Sequence, residues 1–314
     1  MKGKDLLSIS DLNRNDIRSL LADAGDIKAR GRLSWLDSKM ILALIFEKPS
    51  LRTRVSFEVA MRQLGGQTIY LSPAEVGLGE RESVPDVARV LSRYVDCIAA
   101  RTFSHHTLEI LADYSAVPVI NALSDVEHPC QALADLLTIH EKKGDLQGLT
   151  LAYIGDGNNV ANSLLLATAL SGMNFRIASP AGYTIQEGIL DQAQKYAQDS
   201  GSEILCTDEP ALAVRGADIV YTDVWTSMGQ EAETEERCRV FSDYQVNSEL
   251  LSLAKEDALL MHPLPAHRGL EVTDDVLDSL HSVVFDQAEN RLHIQKALLL
   301  QMLGGLGRPL TSYR

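Results

Sequence analysis

Cysteine is scarce in this 314-residue chain: the four present (Cys97, Cys130, Cys206 and Cys238) lie far apart and form no Cys-x-x-Cys pair. A disulfide framework or a structural zinc site is therefore not expected, and a reducing compartment fits. No apolar run approaches the roughly 20 residues needed to cross a bilayer. The first ten residues, MKGKDLLSIS, have neither the apolar core of a signal peptide nor an Arg-rich, acid-poor transit character, so the expectation is a soluble cytoplasmic protein. Positive charge is in the minority, 29 Lys and Arg against 43 Asp and Glu, for a net charge of −14. Such a chain repels phosphate backbones, which argues against a nucleic-acid partner but leaves room for one locally basic pocket. Internal repeats, low-complexity tracts and Pro-rich linkers are also missing.

What is present is an ordinary globular balance, 45% hydrophobic and 23% charged, at a length that suits one large or two ordinary domains. Ile17, Leu20, Leu21, Ala24 and Ile27 recur at helical spacing and predict an amphipathic helix. Beyond it, short continuous apolar runs each lead into a polar stretch and then into helical periodicity. They are 40–46, 97–100, 117–120, 149–154, 175–178, 219–221, 258–261 and 283–285. Parallel strands buried on both faces read as such runs, and their alternation with helices implies βαβ units. The expected fold class is α/β, with two similar domains, each a parallel sheet flanked by helices. The charged, Gly-containing stretch 141–148 marks the boundary, and periodicity alone leaves the last helix, from Asn290 to Leu303, free to join either half.

Ligands in open parallel sheets bind where strands end and helices begin. The first predicted strand runs into Glu47-Lys48-Pro49-Ser50-Leu51-Arg52-Thr53-Arg54. A helix amino terminus there offers unpaired N–H groups and partial positive charge, to which the hydroxyls and arginines add a cradle for a small anion. The alternative is a capping serine with two solvated arginines. At two further strand ends stand Arg101 and the sequence His128-Pro129-Cys130-Gln131, with Pro129 suited to a first helical turn.

In the second half, Gly155-Asp156-Gly157-Asn158-Asn159 carries two glycines of a dinucleotide fingerprint but lacks the third, which speaks against a nicotinamide-dependent oxidoreductase. Asparagine, both donor and acceptor, suits a zwitterionic amino acid. Asp223 closes another strand and can pair with an ammonium group, or else cap the turn that follows it.

Ser50-Leu51-Arg52-Thr53-Arg54 together with His128-Pro129-Cys130-Gln131 resembles the carbamoyl-phosphate signature of the aspartate/ornithine carbamoyltransferase family, and the likeness runs from the first helix to the last. The resemblance implies that residues 50–54 bind phosphate, that Thr53, Arg101 and His128 surround the carbamoyl oxygen, and that Gln131 holds the carbamoyl amide. It implies that Arg291 contacts carbamoyl phosphate from the returning carboxy-terminal segment. On this view 1–143, joined by 290–314, forms the carbamoyl-phosphate domain and 149–286 the ornithine domain. Asp223 and the loop Ser227-Met228-Gly229 resemble the ornithine branch, in which Asn159 and Asp223 bind the amino-acid head group while Ser227 and Met228 close over it. The implied reaction transfers the carbamoyl group of carbamoyl phosphate to the δ-amine of L-ornithine, giving L-citrulline and phosphate, without metal or cofactor. A homotrimer, or a multiple of one, is implied as well.

Two departures stand out. Pro263, in His262-Pro263-Leu264-Pro265, occupies a place where ornithine enzymes usually carry cysteine and where the aspartate branch has this proline form. Leu264 still offers its carbonyl to the carbamoyl or substrate nitrogen, and Pro263 is expected to shape a rigid loop. The 74–83 loop has no Gln or Lys to offer a neighbouring subunit, and Arg81 is its cationic candidate. Aspartate carbamoyltransferase and an inactive, carbamoyltransferase-like binding protein are the competing expectations.

Overall fold

The computed structural model describes residues 1–30, 36–79, 81–226 and 231–304. It divides into two compact units, one of 1–137 with the stretch from Asn290 onward, the other Thr138–Glu289. Among the described residues no helix is long and apolar enough to cross a membrane.

The first unit is built on a four-stranded parallel sheet of β1 (Ile41–Phe46), β2 (Gln67–Leu71), β3 (Cys97–Arg101) and β4 (Val119–Leu123), in the order β2-β1-β3-β4. The central strands β1 and β3 are almost wholly buried, which explains the unbroken apolar run ILALIF and the run CIAA that precedes Arg101. Helices α1 (Arg14–Arg30), α2 (Leu51–Gln63), α3 (Val84–Leu91) and α4 (His105–Tyr114) belong to this unit. Helix α1 buries the five residues whose spacing predicted it, Ile17, Leu20, Leu21, Ala24 and Ile27. The division between units falls inside α5 (Pro129–Lys143), between Leu137 and Thr138.

The second unit holds a five-stranded parallel sheet, in the order β7-β6-β5-β8-β9. Its strands are β5 (Thr150–Ile154), β6 (Asn174–Ala178), β7 (Ile204–Thr207), β8 (Ile219–Thr222) and β9 (Leu259–Met261). Helices α6 (Asn159–Ser171) and α7 (Glu187–Ser200) follow β5 and β6, and α8 (Val284–Leu303) crosses into the first unit. Ala152, Ile154, Val220 and Leu260 pack with Trp225, Phe241 and Val246 in one apolar cluster.

In each sheet the chain first works outward from a central strand and then returns to that strand's other side. The reversal lies between β1 and β3 in the first unit and between β5 and β8 in the second. These reversals open crevices at the carboxyl ends of the strands, the positions where α/β sheets bind ligands.

The run 283–285, expected to be a strand, is not one. Val284 and Phe285 begin α8, and only Ser282 makes an isolated bridge with Leu260. Three apolar residues cannot distinguish strand from helix by periodicity, and Phe285 is 72% exposed rather than core. Conversely, β2 and β7 were not foreseen. They are edge strands, QTIYL and ILCT, without the continuous burial that makes central strands legible.

Candidate active site

In the first unit, parallel pairing sets Phe46 of β1 beside Arg101 of β3, so both strands end at one level. Ser50 caps α2, its hydroxyl accepting the Thr53 N–H at 3.2 Å. This aims the start of α2, with its unpaired N–H groups, at the strand ends. Thr53 is buried, and its hydroxyl accepts a 2.7 Å bond from Arg291 Nη2 on α8. Arg101 is 8% exposed, and its Nε has no partner among the described residues. Burial, with Arg291 and Arg52 nearby, brings its pKa down to about 10. Burial and the charges of Arg291 and Arg101 likewise hold His128 well below the ordinary imidazole range, so it is neutral at pH 7. Burial lowers the Arg52 pKa too. Guanidinium groups thus crowd a buried imidazole, and neither Arg52 nor Arg101 meets a carboxylate among the described residues. A site built in this way is incomplete without an anion.

Gln131, nearly inaccessible, lies on the first turn of α5; its Nε2 donates to Asp135 at 2.9 Å while its Oε1 is buried without a partner among the described residues. Ser50, Arg52, Thr53, Arg101, His128, Gln131 and Arg291 therefore share one end of the first sheet. Leu51 joins through its backbone alone, since its side chain is 78% exposed. Arg54 does not join. It is exposed, pairs with Glu58 at 2.8 Å, and stacks over the Tyr70 ring with Cζ 3.7 Å from the centroid. Arg81 is also exposed and donates to the Glu75 carbonyl at 3.2 Å.

In the second unit the residue that organises the crevice is Asn158, next to the expected Asn159. Asn158 caps α6, its Oδ1 accepting from the N–H groups of Val160 and Ala161. The same oxygen accepts the Tyr153 hydroxyl, and Nδ2 donates to Asp223 at 2.9 Å. Asp223 also accepts the Val224 N–H at 2.8 Å, the turn-capping contact that was one of its two expected roles. Burial raises its pKa, opposed by His262 and these hydrogen bonds. Asn159 follows as the half-buried first residue of α6. The glycines of the partial fingerprint have structural work. Gly155 adopts φ +138°, and a Cβ on Gly157 would lie 2.4 Å from the Thr184 carbonyl carbon.

After β9, fully buried His262 accepts the Leu264 N–H on Nδ1 at 2.9 Å, which leaves Nε2 to donate to buried Glu271 at 3.1 Å. That pairing holds Leu264 at φ +56°, a region that bulky side chains rarely enter. Pro263 is buried beside it. Ser227 and Met228 lie outside the described residues.

Residues 4–141 match the carbamoyl-P binding domain of the aspartate/ornithine carbamoyltransferase family, and residues 147–302 match its Asp/Orn binding domain. The chain belongs to the aspartate/ornithine carbamoyltransferase family. It is 53% identical over 307 residues to the ornithine carbamoyltransferase of Anoxybacillus flavithermus, covering 96% of this chain and 98% of that one. The solved ornithine carbamoyltransferase of Pyrococcus furiosus superposes with a TM-score of 0.94 at 51% identity, covering 97% and 98% of the two chains. The anabolic enzyme of Campylobacter jejuni subsp. jejuni gives 0.90 at 40% identity, covering 95% and 98%.

Several residues of this carbamoyltransferase escaped sequence reasoning. Asn158 was masked by its neighbour, although an Asn immediately before an apolar helix is an N-cap signal. Asp156 pairs with Arg237 at 2.7 Å, and Arg237 also donates to the Trp225 carbonyl and to Glu233. No local pattern announces a pair separated by 81 positions. Asp135 stands four residues after Gln131, a helical neighbour that was legible in principle.

Proposed function

We propose that this carbamoyltransferase moves the carbamoyl group of carbamoyl phosphate to the δ-amine of L-ornithine, giving L-citrulline and phosphate. The observation that carries the acceptor is the buried Asp223–Asn158 pair at the second unit's strand ends. A carboxylate held there suits an α-ammonium, whereas a second substrate carboxylate calls for cations. The names of the relatives cited above, ornithine carbamoyltransferases, support the same choice.

In this reading the α2 amino terminus with Ser50, the Leu51 backbone, Arg52 and Thr53 holds the phosphate. Arg54 is left out, because Glu58 and Tyr70 engage it elsewhere. Thr53, Arg101 and His128 donate to the carbamoyl oxygen, Arg101 reaching the phosphate as well beside Arg52, and neutral His128 gives one N–H without adding charge. Gln131 Oε1 and the Leu264 carbonyl, the latter fixed by Pro263 and His262, accept the carbamoyl N–H groups. Arg291 orients Thr53 and adds to the field on the phosphate. Asn159 and Asp223 bind the amino-acid head group, with Ser227 and Met228 over it. The δ-nitrogen lone pair forms the new C–N bond, the C–O bond to phosphate breaks, and the ammonium proton is released.

Taking a lysine-like pKa near 10.4, freeing the amine at pH 7 costs about 4–5 kcal/mol. Each donor aimed at the developing oxyanion is worth about 3–4 kcal/mol. Two such donors exceed the deprotonation cost, and positioning supplies the remainder. A homotrimer in the cytoplasm completes the proposal.

The proline form at Pro263 is the observation that favours aspartate as acceptor. Citrulline and carbamoylaspartate measured side by side on the purified protein separate the two. Citrulline with ornithine, and no carbamoylaspartate with aspartate, is expected; the reverse overturns the proposal.

A further inference from the structure

An amide side chain presents two nearly isosteric ends, and rotation by half a turn exchanges acceptor for donor. At Gln131 the choice decides what the first unit can hold. Gln131 Nε2 lies 2.9 Å from Asp135 Oδ1, one helical turn along α5, and both side chains are buried. The Asp135 carboxylate oxygen accepts from the NH₂ end and leaves Oε1 facing away, where that oxygen is buried with no donor among the described residues. The enclosed acceptor stands three residues beyond His128.

We propose that Asp135 is a positioning residue that locks the Gln131 amide with its oxygen toward the ligand. The first unit then selects an acyl phosphate whose acyl carbon bears an N–H donor over one bearing a methyl group. This rests on the reading in which Gln131 holds the carbamoyl amide. Carbamoyl phosphate satisfies Oε1, whereas acetyl phosphate leaves it buried and unpaired. Burying an unsatisfied polar group is what gives such discrimination its size.

The readout is the ratio of the acetyl phosphate inhibition constant to the carbamoyl phosphate KM. Asp135→Asn lets the pair bond in either orientation, and the reversed one sets NH₂ against NH₂. The carbamoyl phosphate KM is expected to rise about tenfold with kcat within about threefold, while the acetyl phosphate constant stays within about twofold. A purely structural role for Asp135 would weaken both ligands alike and leave the ratio unchanged, overturning the proposal.

The double variant Gln131→Glu/Asp135→Asn rebuilds the pair in reverse: the introduced amide donates and the introduced carboxylate presents an acceptor to the ligand. It is expected to return the ratio to within about threefold of the parent. Failure to do so overturns the proposal. Where Asp135→Asn alone does not fold, Gln131→Glu compared with the double variant carries the test. Facing carboxylates repel in the single variant, and adding Asp135→Asn is expected to recover at least about tenfold in KM; no recovery overturns the lock.

Gln131→Met separates the inference from its premise. A ratio unchanged in Gln131→Met, with citrulline still formed, removes Gln131 from the amide-binding role and the proposal with it. A ratio lost in Gln131→Met but kept in Asp135→Asn overturns the lock alone.

Discussion

Arg101→Met should make the empty protein more stable and the enzyme nearly useless. Arg101 is a buried guanidinium at the end of β3, its Nε without a partner among the described residues and Arg291 and Arg52 its like-charged neighbours. The fall of its pKa from 12.5 to about 10 measures how poorly the folded chain tolerates its charge. That difference corresponds to roughly 3 kcal/mol against the charged state. Methionine fills similar space without charge, and recovering about 1–2 kcal/mol of that penalty is expected, since relaxation and lost stem contacts take the rest. The melting temperature of the ligand-free protein should rise by about 2–5 °C.

Phosphate reverses the order. At a concentration about 100 times its dissociation constant, inorganic phosphate stabilises the parent by about 2.7 kcal/mol. Loss of one charge-assisted donor weakens phosphate about 10–150-fold, so the variant gains little at the same concentration. Calorimetric melts of both proteins with and without phosphate give all four numbers. A variant that melts below the parent and still shows the full phosphate shift would refute the reasoning.

The depressed pKa of buried His128 makes a second prediction. The unfolded chain takes up a proton near pH 6.5 that the folded chain refuses, so stability falls as pH drops through 6.5 by up to about 1.4 kcal/mol per pH unit. His128→Asn should flatten that part of the urea-melt pH profile and lower kcat about 10²–10³-fold; an unaltered profile counts against a neutral buried imidazole. Asp223→Asn is expected to raise the ornithine KM about 10–150-fold while leaving the carbamoyl phosphate KM within about threefold. Equal weakening of both substrates would contradict its place in the acceptor crevice. Arg237→Met strands the buried carboxylate of Asp156 and should cost about 3–5 kcal/mol in chemical denaturation, against under 1 kcal/mol if the pair behaved as an exposed one. Pro263→Cys is expected to keep the ornithine-to-aspartate preference within about threefold while adding an ionisation near pH 8.5 to the rate profile. A collapse of the preference would make Pro263 an acceptor determinant.

Central strands were legible because burial on both faces leaves an unbroken apolar signature, as in ILALIF of β1 and IVYT of β8. The edge strands β2 and β7 were not, because they lack that continuous burial, whereas the edge strands β4 and β9 still showed as the short apolar runs 117–120 and 258–261. Arg54 was expected at the phosphate from its place at the helix start and from the family resemblance; its pairing with Glu58 and its stacking on Tyr70 of β2 have no local sequence signal. The groups of the first crevice could be read because each follows a strand end that the apolar runs had already located. The exception among them is Arg291, which sits on α8 and reaches Thr53 across 238 positions; only the family resemblance pointed to it. Asn158 and Asn159 show the resolution limit in the second unit, since local sequence places an amide at the helix start without saying which neighbour meets Asp223.

Carbon-13 NMR of the purified protein, given carbamoyl phosphate labelled at the carbamoyl carbon with ornithine, aspartate and putrescine in equal amounts, shows which amine receives the group. The label is expected to move into the ureido carbon of citrulline alone. Label in carbamoylaspartate or carbamoylputrescine, or label lost only by hydrolysis, would contradict that expectation.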